Sequence, residues 1–127
     1  MKKFAREMLF GKWYRTDTDE QSQQQTEYAE LSEDGSFEFS FTTHTADGEV
    51  ASQVIEFGDW GLVGDIHFTI TKSELVGDEH YVADLTHEDN YQAYQVLQLT
   101  PLIFEYQHII SKEVFTLRRI NNVVGNA

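Results

Sequence analysis

Five histidines, His44, His67, His80, His87 and His108, are the residues of this chain most able to do chemistry. His87-Glu88-Asp89, with His80 close by, offers nitrogen and oxygen ligands to a divalent cation. The spacing matches neither a zinc site nor a calcium-binding EF-hand loop. Solvated turn residues explain the cluster, and no metal is assigned. His108 follows Phe104 and Tyr106 at two-residue intervals, so on a strand it shares their face. A single inward histidine in a barrel can ligate haem, but a hydrogen-bonded wall histidine accounts for the same pattern, and no cofactor is assigned. Ser, His and acid never fall into a nucleophile–base–orienter pattern. Close pairs of carboxylates carry little information in a chain with 22 acids. An isomerase or cyclase working inside a barrel is the enzymatic class left open, and no catalytic residue is assigned.

The elements that must position any site are short. The chain has 127 residues, the size of one domain, taken here as residues 1–127. It has no Cys, so disulfides and thiolate chemistry are excluded. Its formal net charge of −13 disfavours nucleic acid and anionic membranes, whose phosphates call for Lys and Arg. The charge is segregated. Every acid except Glu7 and Glu113 lies between Thr16 and Ser111, and only one base, Lys72, lies there with them. No apolar run is long enough for a membrane-spanning helix. Met1-Lys2-Lys3 opens like a signal peptide, but Arg6 and Glu7 interrupt the apolar stretch that should follow. A cytoplasmic protein is expected, with a leader removed before residue 1 as the alternative.

Periodicity predicts a β-rich chain. Residues 3–9 suit one or two helical turns, with Phe4 and Met8 on one face. Residues 9–16 then alternate as a strand, and 17–24 form a polar loop. Residues 25–31 and 36–43 are strands joined by Glu33-Asp34-Gly35. In the second of these, Phe37, Phe39 and Phe41 share one face. Residues 49–57 follow, and Gly58-Asp59-Trp60-Gly61 marks a bulge or corner. Residues 60–63 and 66–71 flank a Gly64-Asp65 turn, with Ile66, Phe68 and Ile70 on one face. Tyr81, Ala83 and Leu85 alternate in a further strand, and 87–90 suit a helical turn. Residues 91–99, 102–110 and 114–120 complete the set. Tyr94/Val96 and Leu97/Leu99 assign opposite inward parities to the first of these three. Residues 121–127 read as a loose tail. With no room for crossover helices a parallel sheet is excluded, and the fold class is all-β: an antiparallel up-and-down meander closed into a barrel of roughly eight to ten strands, with a short N-terminal helix, and an open sandwich as the competing architecture.

The order of motifs resembles the small bacterial lipocalin-like domains of the calycin superfamily. The matching elements are the N-terminal helix, Gly11-x-Trp13, Asp34-Gly35-Ser36-Phe37, Gly58-Asp59-Trp60 leading into Gly64-Asp65-Ile66, and Phe115-x-Leu117-Arg118-Arg119. The resemblance implies that Trp13 plugs one end of the barrel while an arginine of the last strand crosses it. Arg119 shares parity with Phe115 and Leu117, so it is preferred over Arg118. The resemblance also implies a cup for a small apolar molecule and no catalysis. The lining is expected from Phe39, Phe41, Phe68, Phe104 and Tyr106, with Trp60 near the rim. A ligandless barrel acting as an interaction or assembly module is the alternative. Inward parity separates the two, since a filled barrel has bulky residues at every inward position. Closure would also set Lys12 and Arg15 beside Lys112 and Arg118, with Lys2, Lys3 and Arg6 close by. Such a basic seam suits a second copy of the chain or an acidic protein partner.

Overall fold

The computed structural model describes residues 3–18 and 20–120. A 3-10 turn, Arg6–Leu9, leads into β1 (Gly11–Thr18). β2 (Gln24–Leu31), β3 (Ser36–His44), β4 (Val50–Val63) and β5 (Ile66–Val76) follow as antiparallel neighbours. β6 (Glu79–Val82) pairs with the end of β5, and a second 3-10 turn, Glu88–Asn90, precedes β7 (Tyr91–Leu99). β7 pairs with the start of β5, and β8 (Ile103–His108) and β9 (Val114–Arg119) return the sheet to β1. The result is a closed antiparallel barrel of eight strands, with β6 as an extra strand on β5. The helical content is limited to the two 3-10 turns among the described residues, so the expected N-terminal helix is a single turn. Residues 121–127 lie outside the described residues.

Besides a register shift at Thr43/His44 near the end of β3, two irregularities decide which side chains point inward. The β4–β5 register shifts at Phe57/Gly58, where Lys72 is the extra residue. Gly58 is required there: a Cβ would sit 1.9 Å from the Ile70 carbonyl oxygen and 2.7 Å from the Phe37 ring. The extra residue lies on β5 and β4 runs through unbroken, so the two expected segments are one strand of 14 residues. The second shift falls at Val96/Gln98, with Leu97 as the extra residue. It resolves the conflicting parities of β7: Tyr94 and Val96 point inward before the bulge, and Leu99 packs on the core after it.

The core fills one end of the barrel. Leu9, Trp13, Leu31, Phe37, Trp60, Val96, Phe104 and Leu117 are buried there. Trp13 has no exposed surface, and its indole N–H donates to the Leu9 carbonyl at 3.0 Å. The guanidinium of Arg119 lies 4.1 Å from the Trp13 ring centroid. It donates to the carbonyls of Phe10 (2.7 Å), Met8 (2.5 Å) and Pro101 (2.7 Å). Gly11 has φ +116°, and a Cβ there would stand 2.9 Å from this guanidinium, so the glycine of Gly11-x-Trp13 is set by both backbone and clearance. Arg6 forms a second lid, stacking on Phe10 and Trp60 and donating to the Glu33 carbonyl. Of the residues expected to form a basic seam, Lys3 and Lys112 are exposed and Lys2 lies outside the described residues. Arg15 shares the inward parity of Trp13, and Arg6 is taken up by the closed end. Lys12 and Arg118 remain exposed on the neighbouring strands β1 and β9.

Trp13→Ala removes the largest fully buried side chain and the surface on which Arg119 rests. A stability loss of about 3–5 kcal/mol is expected in urea melts. Arg119→Met, which keeps the apolar stem and removes the donors to three carbonyls, should also lower the melting midpoint.

Candidate functional site

Beyond this packed floor, the other half of the barrel encloses a cavity of about 330 Å³. β3 supplies Phe39 and Phe41, β7 supplies Tyr94, β8 supplies Tyr106 and β9 supplies Phe115. The rings form a connected wall: Tyr94–Tyr106 at 4.9 Å edge to face, and Tyr106–Phe115 at 5.5 Å stacked. Burial pushes the Tyr94 phenol up to about 12, with the nearby Glu27 and Glu56 acting in the same direction. Tyr106, also buried, is raised by the same cause. Both hydroxyls therefore stay protonated at neutral pH.

The remaining lining is polar. Arg15 on β1 and Glu27 on β2 are register partners and form an ion pair at 2.9 Å, and the Arg15 guanidinium lies over Phe115 at 5.1 Å. Glu56 on β4 and Glu74 on β5 are also register partners, both reaching the cavity. Thr69 and Thr71 extend the lining along β5. Burial, and then the charge of Glu74, push the Glu56 carboxyl above its ordinary range. Asp89 and Asn90 lie at the mouth, in the segment leading to β7.

His67 on β5 lies at the bottom of the cavity, caged by Trp60, Tyr94, Phe104 and Tyr106 at ring distances of 5.5 to 6.1 Å. It is 3% exposed, and its Nδ1 has no hydrogen-bond partner. Burial depresses its pKa to about 4, against the pull of a backbone hydrogen bond with Gly61. It is thus a neutral imidazole. His108, at the upper edge, is already engaged. Its Nε2 is 2.6 Å from Gln92 Oε1, and its Nδ1 accepts from the backbone N–H groups of Ile110 and Ser111. His87 caps the second 3-10 turn by accepting from the Asp89 N–H, and His80 lies edge-on to Phe57.

The expected lining residues divide. Phe39, Phe41 and Tyr106 lie on the cavity wall. Trp60 is not at the rim. It is buried at the closed end, with its indole N–H donating to the Ser32 carbonyl at 2.9 Å. Phe104 lies below the cavity, against Trp13 at 5.6 Å. Phe68 is not in the cavity at all. In β5 the buried residues are His67 and Thr69, and Phe68 lies on the outer face, its ring covering the space a side chain at Gly61 would need. With Tyr91, Ala93, Ile109 and Ile110 it lines a shallow outer hollow.

Arg15, Glu27, Glu56, Glu74 and His67 were missed as lining. A signal existed for two of them: Arg15 is two residues from Trp13 and Glu27 two from Ala29, so each shares the parity of a buried neighbour. Comparison with protein-family models and with curated proteins finds no match to the chain.

The isolation of His67 has a measurable consequence. The unfolded imidazole binds a proton near pH 6.5, whereas the folded one resists until about 4. Stability present at neutral pH is therefore lost as pH falls through that window, by about 3 kcal/mol in all. Glu56, with its raised pKa, works in the opposite direction at the acidic end. Urea melts at pH 7 and pH 4.5 should show a larger drop for the wild type than for His67→Phe, which keeps a ring in the cage and removes the proton acceptor. Parallel drops would mean that the imidazole is solvated.

Proposed function

We propose that this chain is a non-catalytic small-molecule binding barrel of the lipocalin-like, calycin type, and that the cavity above Trp13 is its ligand cup. The observation that carries this reading is the division of the barrel. One end is packed solid by large side chains, while the other leaves about 330 Å³ among inward-facing residues. That volume lies at the lower end of the range for ligand sites, roughly 300–1,000 Å³. A ligandless assembly module would gain stability by filling this space. The calycin reading is supported by the Gly11-x-Trp13 strand and Arg119 crossing the indole from the last strand. The cup is apolar only in part, so it suits a ligand with an apolar body and a polar end rather than a wholly apolar one.

N-phenyl-1-naphthylamine, an uncharged dye that brightens in apolar surroundings, should bind saturably at one site per chain. Thr71→Trp, which places an indole in the cavity, should abolish that binding without loss of the folded spectrum. Unsaturable binding, or binding untouched by Thr71→Trp, would place the dye on the outer surface and leave the packed-barrel alternative ahead.

A further inference from the structure

The charges inside the cup do not balance. Glu27 is compensated by Arg15 at 2.9 Å. Glu56 and Glu74, directly opposite each other on adjacent strands, are not: among the described residues neither forms an ion pair. Like charges at directly opposed positions destabilise a sheet. The nearest base along the chain is Lys72, and its ammonium is committed to Asp59 at 2.7 Å. The carboxyl of Glu56 is held up by burial and by Glu74, as expected of an acid whose charged form lacks a counter-charge. Asp89 at the mouth adds a further negative group.

A second, independent feature lies at the other end of the cavity. His67 contributes to its floor, is 3% exposed, and has an Nδ1 without a partner. Between the two ends stand the faces and edges of Phe39, Tyr94, Tyr106 and Phe115. One of these rings already carries a cation, since the Arg15 guanidinium rests on Phe115. The lining therefore has the two elements that recognise an alkylammonium group in a desolvated site: opposing carboxylates and aromatic rings.

We propose that the ligand of this cup is a small organic cation, a protonated amine carried on an apolar body. The ammonium sits between Glu56 and Glu74, and the body extends down among the rings toward His67. This assignment rests on the reading of the barrel as a ligand cup. The bound cation supplies the counter-charge that the chain lacks, and the two carboxylates, which repel in the empty protein, become its hydrogen-bond acceptors. A carboxylate-bearing molecule of the same shape meets uncompensated negative charge and is excluded.

Three probes of nearly equal shape separate the possibilities by calorimetric titration at pH 7.5: 1-naphthylmethylamine, 1-naphthylmethanol and 1-naphthoate. The amine should bind at least about tenfold more tightly than the alcohol, and the carboxylate should not bind. Glu56→Gln/Glu74→Gln should remove the preference for the amine while alcohol binding persists, and that persistence reports that the cup is intact. Glu30→Gln/Glu38→Gln, on the outer face, should leave the preference unchanged. If the wild type binds amine and alcohol equally, the cation assignment falls and the cup stands. An equal loss of preference in the outer-face variant would trace it to the general field of an acidic protein, which also overturns the assignment. If none of the three probes binds, the cup reading falls with it.

Discussion

The contact on which the rest of the structure depends is the guanidinium of Arg119 over the indole of Trp13. A meander closes only if its first and last strands find each other, and here the register of that join is short: Trp13 with Arg119 and Tyr14 with Arg118. Two backbone pairs are a weak closure. The side chain of Arg119 reinforces it by reaching three carbonyls from two separate segments, Met8 and Phe10 before β1 and Pro101 before β8. A cation–π contact adds roughly 0.5–2 kcal/mol according to how far it is desolvated. The larger effect is geometric. A single planar fork fixes the N-terminal turn, the β7–β8 turn and the last strand around one buried ring, and lysine cannot reproduce that. Gly11 belongs to the same unit, because any other residue would displace the fork.

Most of this architecture was legible in the chain because barrels leave period-two traces. The run Phe37, Phe39, Phe41 gave both the strand and its inward face. The lipocalin-like resemblance paired Trp13 with an arginine of the last strand, and parity with Phe115 and Leu117 chose Arg119 over Arg118. Alternation fails where a bulge inserts a residue, since every side chain beyond it changes face. Leu97 did this in β7, where two equally apolar parities coexist. Lys72 did it in β5, where the expected strand stopped at Thr71 while the ladder runs on to Val76. The extension matters most for the cavity, because Glu74 faces Glu56 only through those extra residues.

The lining was less legible, for a reason rooted in what a cup is. Apolar alternation marks the buried face when burial is against a packed core. In β5 the apolar set Ile66, Phe68 and Ile70 faces outward, and the inward set is His67, Thr69 and Thr71. Phe68 is held outside by Gly61, whose missing side chain leaves a hollow for its ring. Trp60 was misplaced for a related reason. It shares the inward parity of Gly58, opposite the β5 bulge, and lies at the closed end, where the Ser32 carbonyl accepts its N–H.

The two ends of the barrel follow different physical rules. At the floor the polar groups are matched: the indole N–H groups of Trp13 and Trp60 and the guanidinium groups of Arg119 and Arg6 each donate to backbone carbonyls. In the cup the matching is incomplete: Arg15 pairs with Glu27 and the Thr71 hydroxyl donates to Glu56 at 3.4 Å, but no cation meets Glu56 or Glu74 among the described residues. A neutral imidazole lies buried with an open acceptor, and two glutamates oppose each other across a strand pair. Each is a cost that a core optimised for stability alone would remove by an apolar replacement. The floor can sustain such a cup because closure does not depend on it. The backbone pairs and the Arg119 hydrogen bonds that tie β9 to β1 and to the turns beside it lie outside the cavity, and of the contacts across that join among the described residues only Arg15 on Phe115 lines it, so most of the lining can change without opening the barrel.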